Sequence, residues 1–128
     1  MKVIKVKYII GPYREDPYYF TDMSIKLSQK LISQSKDNET VLSIHSGLLN
    51  NAFGYDEIEE ERIRGIKITG NLLEYIAQQK QNELHVIGDR GSIARSEGTQ
   101  AELRRWKQSR KEYWSNNIFF HYENEGIK

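Results

Sequence analysis

Four short, β-branched apolar runs separated by longer stretches of helical periodicity constrain this chain more than any other feature. The first run, Val3-Ile4-Lys5-Val6-Lys7-Tyr8-Ile9-Ile10, alternates as a strand and stops at Gly11-Pro12. Phe20, Met23 or Ser24, Leu27 and Leu31 then recur at helical spacing to about Gln34, after a polar, tyrosine-rich loop. Thr40 to His45 forms the second run and Glu83 to Gly88 the third. The fourth extends from Asn117 to Tyr122. Between the second and third, an acidic first turn at Asp56, Glu57, Glu59 and Glu60 opens a helix whose expected buried stripe is Ile63, Ile66, Leu73 and Ala77. Gly65 and Gly70 predict close packing or a break in it. A Gly/Ser loop follows the third run, and a helix from about Gly98 to Ser115 would place Leu103, Trp106 and Tyr113 on one face.

The order β-α-β-α-β-α-β predicts an α/β fold: one three-layer sandwich over residues 1–128, with a parallel sheet of four to five strands and helices on both faces, Rossmann-like or flavodoxin-like. Ligands of such sheets bind beyond the carboxyl ends of the strands. That rule selects Gly11 to Tyr19, His45 to Tyr55, Gly88 to Gly98, and the chain after Tyr122.

Composition narrows the chemistry. The 128 residues contain no cysteine, which excludes disulfides, thiolate metal sites and a cysteine nucleophile, and leaves carboxylates, hydroxyls, phenols and three histidines. Nineteen basic against 18 acidic residues give a formal charge of +1, which argues against a nucleic-acid partner. The run Arg104-Arg105-Trp106-Lys107 with Arg110 and Lys111 reads equally well as a solvated helix face. Neither a signal peptide nor a membrane span is recognisable, so a cytoplasmic protein without membrane contact is expected. The histidines lack ligand spacing, and no metal or cofactor is implied. A chain this small buries a modest fraction of its surface, so a pocket completed by a second copy, as a homodimer or higher homo-oligomer, is expected.

Among the strand-end segments, Gly88 to Leu103 carries most information. A strand leading through glycine and serine to a helix N-terminus presents free amides to an anion, with Gly88, Arg95, Ser96, Gly98 and Thr99 as binding candidates. Glu102 admits two readings: a carboxylate reaching into the pocket, or the last member of the capping box Thr99-Gln100-Ala101-Glu102. At the first strand, Gly11 permits close approach to the backbone, with Pro12, Tyr13 and Arg14 beside it. His45 is a candidate by position and otherwise a hydrogen-bonded structural histidine.

Together Tyr8-Ile9-Ile10-Gly11-Pro12-Tyr13-Arg14, Arg64-Gly65-Ile66-Lys67, Glu83 to Gly88 and Ser96-Glu97-Gly98-Thr99-Gln100-Ala101-Glu102-Leu103 resemble the nucleoside 2-deoxyribosyltransferase-like superfamily. The closest likeness is to its small branch found in phage and bacterial genomes. That superfamily includes deoxyribosyltransferases and nucleoside 5'-monophosphate N-glycosidases. The likeness runs from Tyr8 to about Tyr122, and its sharpest piece is Ser-x-Gly-x-x-x-Glu-Leu at Ser96 to Leu103. It implies Glu102 as the nucleophile at the anomeric carbon, Ser96 on a 5'-phosphate and Tyr8 near the sugar. Relatives carry an aspartate before the third strand, where this chain offers Asn71 or Glu74, so Glu74 is the remaining catalytic candidate. The implied activity is cleavage or transfer at the N-glycosidic bond of a nucleoside 5'-monophosphate. The alternative is a protein that binds or sequesters a nucleotide-derived signal without turnover, such as a phage anti-defence factor.

Overall fold

The computed structural model describes residues 3–43 and 59–122. In chain order the elements are β1 (Lys5–Ile10), α1 (Pro17–Gln34), β2 (Glu39–Ser43), α2 (Glu59–Ala77), β3 (Glu83–Gly88), α3 (Arg90–Arg95), α4 (Glu97–Ser109) and β4 (Ile118–Tyr122). All strand pairs are parallel, in the order β2-β1-β3-β4. This is the expected α/β sandwich, with a four-stranded sheet.

Strand alternation sorts the core into two layers. Ile9 and Ile87 point to one face and pack with Phe20, Met23, Leu27 and Leu31 of α1. Tyr8, Ile10, Leu84 and Val86 point to the other and pack with Leu73, Ile76 and Ala77 of α2 and Leu103 and Trp106 of α4. The β1–β2 crossover through α1 and the β2–β3 crossover through α2 therefore run over opposite faces, and the direction of strand addition reverses between β1 and β3. In open α/β sheets a crevice forms at that reversal, outside the strand ends.

Several boundaries differ from the sequence reading, each for a local reason. Helix α1 begins at Pro17, three residues before Phe20, because proline fits the first helical turn and Asp16 caps it, its Oδ1 accepting from the Tyr19 amide at 3.2 Å. Much of the expected Gly/Ser loop is helix α3, capped by Asp89 through a 2.8 Å bond from the Ser92 amide. Helix α4 stops at Ser109, short of Ser115, and Tyr113 is 80% exposed. The residue that follows, Arg110, is buried among carbonyls of the α2–β3 connection and cannot continue an outward helix face. In α2 the stripe is only partly as expected: Leu73 and Ala77 are buried, whereas Ile63 is 55% exposed. No break occurs at Gly70, because the Arg105 guanidinium lies where a Cβ would be. The start of α2 at Asp56 and the end of the second strand at His45 fall outside the described residues.

Candidate functional site at the strand reversal

The carboxyl ends of β1 and β3 meet closely. A Cβ at Gly11 would come within 2.6 Å of Ile87 Cγ1, so any side chain there would push the two strand ends apart. Gly88 has φ +132°, a conformation open to glycine alone, and Pro12 packs on it at 3.2 Å from a would-be Cβ. Gly11, Pro12 and Gly88 thus stand together where the carboxyl ends of β1 and β3 meet.

Tyr8, Tyr13 and Glu102 converge there electrostatically. Tyr8 is fully buried, and neither its hydroxyl nor Glu102 Oε2, also buried, has a hydrogen-bond partner. Burial alone drives the Tyr8 phenol far above its usual range, and the Glu102 charge adds to the effect. Tyr13 is likewise raised, by burial first, with hydrogen bonds to Ser24 and Ser43 opposing and the Glu102 charge reinforcing. Desolvation pushes Glu102 up to about 8, only partly countered by Arg105. A buried polar atom without a partner costs about 1–3 kcal/mol. Two of them within mutual electrostatic reach is an arrangement suited to an external hydrogen-bonding group.

Glu102 is not a capping residue. Helix α4 is capped by Ser96, whose Oγ accepts from the Thr99 amide at 3.2 Å and donates to Thr99 Oγ1 at 2.9 Å. The Thr99-to-Glu102 box is absent, and Glu102 points its carboxyl into the interior. Ser96 and Thr99 therefore stand together at the α4 N-terminus, while Gly98 has nothing within 4 Å of a would-be Cβ.

The other expected residues are spread more widely. Arg95 is exposed and binds Glu15 at 2.6 Å, which ties α3 to the β1–α1 loop. Arg14 is exposed beside that loop. Glu74 accepts from Arg105 Nε at 2.9 Å and lies 2.8 Å from its Nη2, so it acts on the site through that arginine. Because Glu74 neutralises Arg105, the guanidinium does less to hold Glu102 ionised. His45 lies outside the described residues.

Sequence reasoning missed three contributors. Ser24 and Ser43, 2.6 Å apart, hold the Tyr13 hydroxyl from α1 and β2. Arg105 follows Glu102 by three residues, a spacing that places both on one helix side and was a readable signal. The basic run disperses: Trp106 is buried and donates to the Asn116 carbonyl at 2.6 Å, Arg105 is paired, and Arg110 is buried.

A cavity of about 370 Å³ opens elsewhere, at the amino end of β4 between Lys107 and Phe120. It is far less informative than the strand reversal, because its only ionisable group is Lys107. Among the described residues no group of three or more His, Asp or Glu could hold a metal ion, and no helix is long and apolar enough to cross a membrane. The chain matches no protein-family model, no curated protein and no solved structure.

Proposed function

We propose that this chain cleaves the N-glycosidic bond of a nucleoside 5'-monophosphate, with Glu102 as nucleophile. What supports the reading is the buried Glu102 Oε2, without a hydrogen-bond partner, in electrostatic reach of the equally unpartnered Tyr8 hydroxyl. Such a pair destabilises the free protein and is repaid when a sugar ring supplies the missing partners. The ionised carboxylate attacks the anomeric carbon as the bond to the base breaks. The base leaves with that electron pair and is protonated by solvent, and water then hydrolyses the glycosyl ester to release sugar phosphate and regenerate Glu102. Tyr8, held protonated by burial, donates to the carboxylate or to a ring hydroxyl. Amides at the start of α4 receive the 5'-phosphate, with Ser96 turning from Thr99 and the open space at Gly98 leaving room.

A second reading has its own support. Glu74 is engaged by Arg105, and the Glu102 carboxyl is held largely protonated near neutral pH, so the same pocket would keep a nucleotide-derived signal without consuming it. Within either reading the protein is cytoplasmic and homo-oligomeric, the second copy seating on Ile68, Leu72 and Tyr75, which line the outer side of α2 at helical spacing and are exposed. One assay separates the two readings. Incubation with a panel of ribo- and deoxynucleoside monophosphates releases free base in the first. Stoichiometric nucleotide binding with no base released from any member overturns the first and supports the second.

A further inference from the structure

On the sheet face that carries α1, and away from the crevice, three side chains form a continuous hydrogen-bonded chain. Glu83 Oε1 lies 3.0 Å from His85 Nε2, and His85 Nδ1 lies 2.8 Å from His121 Nε2. The ring centroids of the two histidines are 5.0 Å apart and their planes differ by 25°. The nitrogens are much closer than the centroids, so the rings meet edge to edge across one N–H···N bond. The carboxylate sets the tautomers. Glu83 accepts from His85 Nε2, which leaves a lone pair on His85 Nδ1, and His121 must then donate from Nε2.

This bond fastens an edge strand. Among the described residues β4 pairs only with β3, and the histidine pair bridges those two strands, since His121 stands opposite Ile87 and His85 opposite Phe119. Little else holds β4 on this face. Phe119 stacks on His85 with centroids 5.2 Å apart yet remains 45% exposed. On the opposite face Ile118 and Tyr122 pack against the α2–α4 core.

We propose that Glu83, His85 and His121 form an acid-sensitive latch that releases β4 from the sheet. One added proton leaves the N–H···N bond intact. A second makes both facing nitrogens N–H donors, 2.8 Å apart on two cationic rings, and the bond cannot survive. The surrounding charges are mostly positive and oppose a charged pair. Lys5 lies 2.6 Å from Glu83, Lys7 is bound to Glu39 of β2, and Lys30 of α1 bears on His121. Burial lowers His85, with Glu83 opposing, and burial, the His85 charge and Lys30 together hold His121 down to about 4. Both rings are neutral in the folded state, so the latch is closed above the ordinary histidine range and opens as pH falls toward the folded values. Release reaches the other end of the strand too, because Gly88 pairs with Tyr122 and Arg90 of α3 sits 4.0 Å over the Tyr122 ring.

Amide hydrogen exchange, corrected for the intrinsic pH dependence, tests this on the whole chain. Between about pH 7.5 and about pH 4.5, β4 protection should fall at least about tenfold more than β1 protection. His121→Gln, whose amide still donates to His85 but does not titrate, should remove that excess. Parallel loss in β1 and β4, or an unchanged pH profile in His121→Gln, overturns the latch. Should that variant fail to fold, ring-nitrogen NMR of the unmodified protein decides. An unprotonated His85 Nδ1 at neutral pH, gaining its proton as β4 opens, supports the latch; full protonation of both rings with β4 still protected overturns it.

Discussion

Replacing Glu102 with glutamine should make the protein more stable while abolishing turnover, and the gain should depend on pH. The wild-type carboxyl titrates near its ordinary 4.5 when unfolded and near 8 when folded, chiefly because burial penalises the charged form. A carboxyl raised on folding adds stability that is fully present below the unfolded value and is lost as pH rises through the folded one. From 4.5 to neutral pH the loss spans about 2.5 units, an upper figure of about 3.4 kcal/mol at about 1.4 kcal/mol per unit. Glu102 as a residue is only half-buried even though its Oε2 is enclosed, so screening reduces this to about 2 kcal/mol. Glutamine imitates the protonated acid and removes the ionisation penalty. For a domain of this size the gain corresponds to a rise in Tm of about 8 °C near neutral pH, shrinking to almost nothing near pH 5. Thermal melts of both proteins across that range, beside the base-release assay, measure it. A Tm difference that does not vary with pH, or a variant less stable near neutrality, would refute the argument that desolvation of this carboxyl is the dominant cost.

Three further outcomes follow from the same geometry. Glu74→Gln releases Arg105 from its ion pair, so the guanidinium should stabilise the Glu102 carboxylate and move the pH–rate profile to lower pH, with kcat less affected than its pH midpoint. Tyr8→Phe removes a buried hydroxyl that has no partner and should leave stability within about 1 kcal/mol of wild type while weakening nucleotide binding, read by calorimetry and thermal melts. Arg110→Met should cost about 3 kcal/mol in chemical denaturation, because the guanidinium donates to the carbonyls of Ala77, Gln79, Lys80 and Ser115 and its loss removes these charge-assisted bonds, the one to Ala77 fully buried; a loss under about 1 kcal/mol would show that water replaces it.

The strands were legible because each is short, apolar and bounded by glycine, proline or polar residues, and the third was read to its exact limits at Glu83 and Gly88. Helix α1 was legible from its inward stripe, since Phe20, Leu27 and Leu31 have no role other than to cover one sheet face. What escaped depends on partners distant in the chain. Arg110 looked like one more solvent-facing cation because nothing local marks the carbonyls of Ala77, Gln79 and Lys80, which it binds from 30 or more positions away in addition to that of nearby Ser115. Asn82 is similar: its Oδ1 accepts from the Val6 amide at 2.8 Å and its Nδ2 donates to the Ile76 carbonyl at 2.9 Å, so one buried side chain fixes β1 against the end of α2. His85 and His121 lacked ligand spacing in sequence, yet parallel pairing of β3 with β4 sets them 2.8 Å apart.

Glu102 shows where local pattern fails and why. Thr99 to Glu102 satisfies the spacing of a capping box, and local energetics alone would make the glutamate a backbone partner. Ser96 captures the cap three residues earlier because α3 ends immediately before it and delivers its hydroxyl to the Thr99 amide. Once the cap is shifted, Glu102 lies a turn deeper in α4, on the side that packs toward β1, and among the described residues Tyr8, Tyr13 and Arg105 are in electrostatic reach of its carboxyl. Placement of a carboxylate in that interior is therefore the consequence of a six-residue helix that sequence reading took for a loop. Lengthening or melting α3, for example with Ala94→Pro, should return the cap to Thr99, lower the Glu102 titration toward its ordinary range and remove the pH-dependent stability gain of Glu102→Gln. A gain that persists after α3 is melted would show that burial of Glu102 is set by α4 packing alone.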